Sequence, residues 1–127
     1  MSLRGLGLAL ALGLSGLAVG ATPDARHGEQ VYARCMACHA LASDRVGPRH
    51  CGLLGRRSAS VPGYDYSPAM RKAHLNWDES TLDRFLANPM KMVPGTTMTY
   101  DGVPDPKDRG DLIAYLEQAG KGVDCRK

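Results

Sequence analysis

The sequence predicts an all-α fold of three main helices joined by long loops. Apolar residues recur at helical spacing in three segments, no stretch alternates convincingly as a strand, and Gly and Pro punctuate residues 40–66 and 89–104. The first helix is expected over residues 24–38, where Gly28, Val31, Tyr32 and Cys35 fall on one face. A short helical turn is expected after Ser67, a good N-cap, with Pro68 at the first helical position. The next helix is expected over residues 78–88, with Leu82, Phe85 and Leu86 as its stripe and Pro89 as its stop. The last begins with Asp105 as N-cap and Pro106 at the first position. It buries Leu112, Ile113, Tyr115, Leu116 and Ala119, and Gly120 suits its C-terminal cap.

At 127 residues and 13.6 kDa the chain is expected to form one domain. With 43% hydrophobic and 23% charged residues it is neither disordered nor fibrous. The net charge of +3, without a basic run, argues against a nucleic-acid partner. One Trp, one Phe and five Tyr are little material for a core. A cofactor, disulfide or partner is the expected supplement, and a large flat cofactor would also give the long loops something to pack on.

Residues 1–21 read as a secretory signal peptide. Arg4 opens an apolar, Gly-rich run, and Val19 and Ala21 suit the small-residue positions before a cleavage site. The competing reading is an uncleaved anchor, but the run is short for a span. Cleavage after Ala21 removes one Arg, lowers the charge of +3 by one, and leaves residues 22–127 as the mature domain. The expectation is an exported protein without stable membrane insertion, periplasmic in a bacterium, in a compartment that permits disulfides.

Cys35-Met36-Ala37-Cys38-His39 is a C-x-x-C-H run, the attachment signature of one c-type haem. Its spacing at a helix end lets two thiols reach two vinyl groups on one edge of the macrocycle, and presents His39 as the proximal ligand. A redox dithiol, half a zinc site or a structural disulfide are the competitors. No βαβ pattern surrounds the run, and no second C-x-x-C exists. The sixth ligand must come from Met36, Met70, Met90, Met92, Met98, His27, His50 or His74. Met98 stands out, because Pro94 and Gly95 set a tight turn just before it.

The chain resembles the class I cytochromes c, their mitochondrial-like branch in particular. The resemblance covers residues 24–120. It rests on an ordered set: C-x-x-C-H, Gly47-Pro48, Gly52-Leu53-Leu54-Gly55-Arg56, Pro62-Gly63-Tyr64, Tyr66-Ser67, Trp77, Leu86-Ala87-Asn88-Pro89, Pro94-Gly95-Thr96, Met98, and the final Asp111-Leu112-Ile113-Ala114-Tyr115-Leu116. It implies the cytochrome c fold, with three main helices and long loops wrapped around one covalently attached haem c. It makes His39 and Met98 the axial pair, and Pro48 the acceptor of a hydrogen bond from the other His39 nitrogen. Arg56, Tyr66 and Trp77 fall where the family binds or shields the haem propionates, and Thr96 belongs to the haem-binding loop. Gly28 and Tyr32 match the contact of the first helix with Tyr115 and Leu116 of the last.

The chain departs from the family at several positions. Phe85 stands where Tyr is frequent, Met90 and Thr97 where mitochondrial relatives carry Lys, and His50 where an apolar residue usually packs on the haem. The thinned basic ring puts mitochondrial partners in doubt. With Cys35 and Cys38 committed to haem, Cys51 and Cys125 are left, and an intramolecular disulfide between them is expected; free thiols, a dimer or a surface metal site are the alternatives. The function implied is that of a monomeric carrier of single electrons, docking transiently with redox proteins, and not an enzyme. Its rivals are a gas sensor or peroxidase in which Met98 leaves the iron, and a dedicated redox subunit of one dehydrogenase.

Overall fold

The computed structural model describes residues 20–126 and, ahead of them, Met1, Gly13, Gly16 and Leu17. The expected signal peptide therefore falls almost wholly outside the described residues, while the helices and loops of the domain fall within them. Helix α1 spans Ala25–Tyr32, α2 Pro68–Ala73, α3 Glu79–Ala87, α4 Pro89–Met92 and α5 Pro106–Gly120. Among the described residues there is no strand, only an isolated antiparallel bridge between Arg57 and Asn76.

Helix α1 is shorter than the expected 24–38. Asp24 caps it, accepting from the Arg26 and His27 amides. After Tyr32 the chain tightens into a 3-10 turn, Ala33–Cys35, and the amides of Cys38 and His39 both donate to the Cys35 carbonyl, at 3.1 and 2.9 Å. At positions i, i+3 and i+4, Cys35, Cys38 and His39 share one face of this turn and line one wall.

Helices α1 and α5 make the most extensive contact in the fold, and a glycine permits it. A Cβ on Gly28 would overlap the Asp111 carbonyl and stand 2.8 Å from the Tyr115 Cβ. Asp111 ties the crossing together. Its buried carboxylate accepts from the Asp24 amide at 2.8 Å, His27 Nδ1 at 2.7 Å and Lys107 Nζ at 2.5 Å. The Lys107 ammonium, aided by the Asp24 amide, holds the Asp111 carboxyl well below the usual carboxylate range.

Helix α5 keeps its expected N-terminus, Asp105 accepting from the Lys107 and Asp108 amides. Its C-terminus differs from expectation. Gly120 is still helical and the cap is Lys121, in right-handed conformation. Gly120 serves a close approach instead, since a Cβ there would lie 3.2 Å from the Gly52 amide nitrogen.

Ser67 caps α2 and Asp78 caps α3. Pro89 ends α3 but does not open an irregular loop, as the sequence suggested. Asn88 accepts from the Lys91 amide at 3.0 Å and Pro89 sits at the first position of α4. The core joins Val31, Tyr32, Leu53, Trp77, Leu82, Phe85, Leu86, Val93, Val103, Leu112, Ile113 and Leu116. That core is not solid: Leu53, Trp77, Leu82, Phe85, Leu86, Leu112 and Leu116 also line an internal cavity.

Candidate haem site

The cavity has a volume of about 290 Å³. All nine residues singled out as haem contacts line it: Cys35, Cys38, His39, Pro48, Arg56, Tyr66, Trp77, Thr96 and Met98. They come from the turn after α1, the 47–66 loop, the segment before α3 and the 93–100 loop.

His39 is 8% exposed, and Nδ1–H donates to the Pro48 carbonyl at 2.8 Å. That bond fixes the tautomer and leaves Nε2 with a free lone pair. Burial lowers the His39 pKa against the opposing effect of Pro48, so the ring is neutral and fit to ligate. Gly47 makes room for it. A Cβ there would fall within 2.6 Å of His39 Nδ1 and closer still to two other ring atoms.

His50 lies on the same wall, its ring stacked on His39 with centroids 4.2 Å apart and planes 21° apart. The Tyr32 hydroxyl and His50 Nδ1 are hydrogen-bonded at 3.0 Å. Burial, with the neighbouring His39 and Arg56, pushes the His50 pKa down to about 3. No periodicity marked this residue; it stood among the eight candidate sixth ligands and departs from the family pattern.

Cys35 is half-buried and Cys38 exposed, and neither is disulfide-bonded. Burial pushes the Cys35 thiol up to about 11. A thiol that resists ionisation is unlike a reactive dithiol centre.

Of the eight candidate sixth ligands, only Met70, Met98 and His50 line the cavity. His50 belongs to the His39 wall, which leaves the two methionines. Met98 follows a turn in which Gly95 has φ +88° and the Thr96 amide donates to the Val93 carbonyl at 3.0 Å. The buried Thr96 Oγ1 then accepts from the Met98 amide at 3.2 Å.

Arg56 spans the loop, donating through its terminal nitrogens to the Cys51 and Arg49 carbonyls, each at 3.0 Å. Its buried Nε has no partner. Tyr66 Oη accepts from the Val61 amide at 3.1 Å and keeps its own proton available. Trp77, 6% exposed, is both core and cavity wall, with its ring 4.9 Å from that of Phe85. Arg57 is exposed and does not line the cavity.

Residues 25–120 match the sequence pattern of the cytochrome c family. The chain belongs to that family. It is 43% identical to a cytochrome c2 from Rhodomicrobium vannielii over 114 residues, covering 87% of this chain and 89% of the relative. It is 42% identical to a cytochrome c from Cochliobolus lunatus, covering 77% of this chain and 94% of that one. The solved structure of cytochrome cH from Methylobacterium extorquens superposes with a TM-score of 0.73 at 43% identity, over 75% of this chain and 98% of that one.

The fold is that of a class I cytochrome c, and the cofactor is one covalently attached haem c. The residues present fit this group. Two free thiols and a neutral imidazole stand on one cavity wall, and the partnerless Arg56 Nε offers a buried donor to a carboxylate. Like its relatives, this cytochrome c is an electron carrier and not an enzyme. Among the described residues no helix is long and apolar enough to cross a membrane.

Proposed function

We propose that this cytochrome is a soluble periplasmic shuttle, passing single electrons between a membrane donor and a terminal acceptor through a haem ligated by His39 and Met98. The observation that carries this reading is the placement of Cys35, Cys38, His39 and Met98 around one cavity walled by Leu53, Leu82, Phe85 and Leu112. When bound, haem c supplies one-electron chemistry between ferric and ferrous iron, and a thioether ligand favours the ferrous state.

The chain's own residues do the rest. His39 offers Nε2 while Pro48 holds its Nδ1 proton, and Met98 offers sulfur from a loop fixed by Thr96. Arg56 and Tyr66 supply donors to the propionates, and Trp77 shields them. The apolar wall excludes water, so little reorganises when the charge changes. Cys38 and the 75%-exposed Val46 mark where the cavity meets solvent, the natural exit for an electron in a brief encounter.

Residues 1–21 are read as the leader that exports the chain, and Cys51 and Cys125, with Cα atoms 5.3 Å apart, as a disulfide formed after export. Mass measurement of the exported protein checks both: it should begin at Thr22 and take up alkyl groups at Cys51 and Cys125 only after reduction.

The experiment for the ligand pair compares Met98→Ala with Met70→Ala, the other methionine on the cavity. Met98→Ala should abolish the sulfur-to-iron absorption band of the oxidised protein, lower the potential and open the iron to carbon monoxide. Met70→Ala should keep the band. The opposite pattern overturns the assignment, and carbon monoxide binding by the wild type would favour a sensor over a carrier.

A further inference from the structure

We propose that His50 is a positioning residue for the proximal ligand: the chain of rings Tyr32–His50–His39 sets the plane of the His39 ring. The inference rests on the reading of His39 as an axial ligand.

The hydrogen bond from His39 Nδ1 to Pro48 tethers one edge of the imidazole. That tether fixes one edge of the ring but not its tilt, and against Gly47 the ring meets only close-packed backbone, with no side chain to set its plane. His50 supplies the missing restraint. Its ring lies nearly parallel to His39, 21° between planes, so tilting His39 drives it into His50 or opens a gap beside it.

A loop residue could not serve as such a plate unless it were itself fixed. His50 is fixed three ways. Its Nδ1 is hydrogen-bonded to Tyr32 Oη at 3.0 Å, and its ring meets the Tyr32 ring edge-on at 5.7 Å. Its amide donates to the Leu41 carbonyl at 3.0 Å. Tyr32 in turn is 4% exposed and packs on Tyr115 of α5 with ring centroids 5.3 Å apart. The α1–α5 crossing, the most extensive contact in the fold, thereby reaches the ligand through two side chains. A leucine at position 50 would fill space beside His39, but it could neither stack flat on the ring nor hydrogen-bond the Tyr32 hydroxyl.

The test uses the haem-loaded protein with His50→Leu, His50→Phe and Tyr32→Phe, together with His39→Ala. The readout is the proton NMR spectrum of the oxidised protein, where the spread and order of the haem-methyl resonances follow the orientation of the axial imidazole plane. The midpoint potential is the second readout, and helical circular dichroism the check on folding.

His50→Leu should keep the low-spin spectrum and the helical signal but change the methyl spread and shift the potential. Tyr32→Phe, which keeps the rings but loses the tether, should change the spread in the same sense and by less. His50→Phe, which keeps a flat ring, should lie closer to wild type than His50→Leu. An unchanged methyl pattern in His50→Leu overturns the proposal, as does a His50→Phe spectrum displaced as far as that of His50→Leu. Should His50→Leu fail to fold, the Tyr32→Phe spectrum decides, and a wild-type pattern there overturns the proposal. Retention of the low-spin spectrum in His39→Ala would instead defeat the underlying ligand assignment.

Discussion

Gly28 and Gly47 both stand where a side chain would collide, but with different kinds of neighbour. At Gly28 the obstacle is the backbone of α5; at Gly47 it is the imidazole of His39. The first glycine belongs to the α1–α5 crossing, which is built from regular helices, a buried carboxylate and close packing. The second belongs to the loop shell of the cavity, where single hydrogen bonds hold single side chains. A fault in the crossing should therefore reach the whole fold, while a fault in the shell should reach the site first.

The largest effect is expected where the proposed disulfide would staple the two regions. Cys51 lies in the shell and Cys125 just past α5, at a sequence separation of 74. The chain-entropy model gives about 4 kcal/mol for a closed loop of that size. The Cys51→Ser/Cys125→Ser pair should show a loss of that order in denaturant unfolding, with the haem absorption spectrum of the folded protein retained. An unchanged midpoint would mean the two cysteines are not bridged.

Gly28→Ala comes next. A carbonyl on a helix cannot swing aside as a side-chain tip can, so α1 and α5 must move apart. A loss of about 3 kcal/mol is expected, the upper end of overpacking costs. Midpoint potential in the surviving folded fraction should stay close to wild type, because the crossing does not line the cavity at Gly28.

Gly47→Ala reverses that pattern. The His39 ring can yield where a backbone cannot, so the cost in folding should be smaller, about 1–2 kcal/mol. The ring that yields is the proposed ligand, however, and its bond to Pro48 should lengthen. A shifted potential and haem-methyl spectrum with a modest loss of stability is the expected outcome. A large loss of stability without a spectral change would place Gly47 with Gly28.

How much of each region was legible in the sequence follows from the same contrast. The helices were readable because they announce themselves by period and caps: Asp105-Pro106, Asp78 and Ser67-Pro68 all mark true starts. Two boundaries were misread for local reasons. The regular first helix gives way after Tyr32 to the 3-10 turn of the motif, and Gly120 serves close approach to Gly52 instead of a left-handed cap. The shell carries no period at all. Its residues were found through the attachment run and the ordered family motifs, and they do meet at one cavity. His50 escaped because its meaning depends on two partners, one 18 positions away, that only folding brings together. Helix α4 escaped because Pro89 reads as a stop before it reads as a start.

The fourth prediction tests the carboxylate that ties the crossing. Asp111 is held below its ordinary pKa of 3.8, chiefly by the Lys107 ammonium and then by the Asp24 amide. A depressed carboxyl contributes stability that is present above the ordinary pKa and is lost as the pH falls through the lowered one. Asp24, His27, Arg34, Lys107 and Asp108 are other charged or titratable groups at this junction. Asp111→Asn should therefore be less stable than wild type at neutral pH, and the gap should narrow as the pH drops below about 4. A gap that stays constant into acid would mean that Asp111 acts by shape alone.

The smallest effect on folding is expected at Thr96, and it separates the regions most finely. Thr96 is buried, and its hydroxyl accepts from the Met98 amide at 3.2 Å, two residues along. Valine matches threonine in shape, so Thr96→Val removes the acceptor without opening a cavity. The cost is that of one lost hydrogen bond, about 1 kcal/mol, or a fall in melting temperature of about 4–8 °C for a domain of this size. Because that bond holds the loop carrying Met98 and nothing in the crossing, the loss should appear as faster displacement of the sixth ligand by added imidazole. Thr96→Ser, which keeps the hydroxyl and drops only the methyl, should restore the wild-type displacement rate even though it gives up some packing. Equal displacement rates in Thr96→Val and wild type would show that Pro94 and Gly95 hold the Met98 loop unaided.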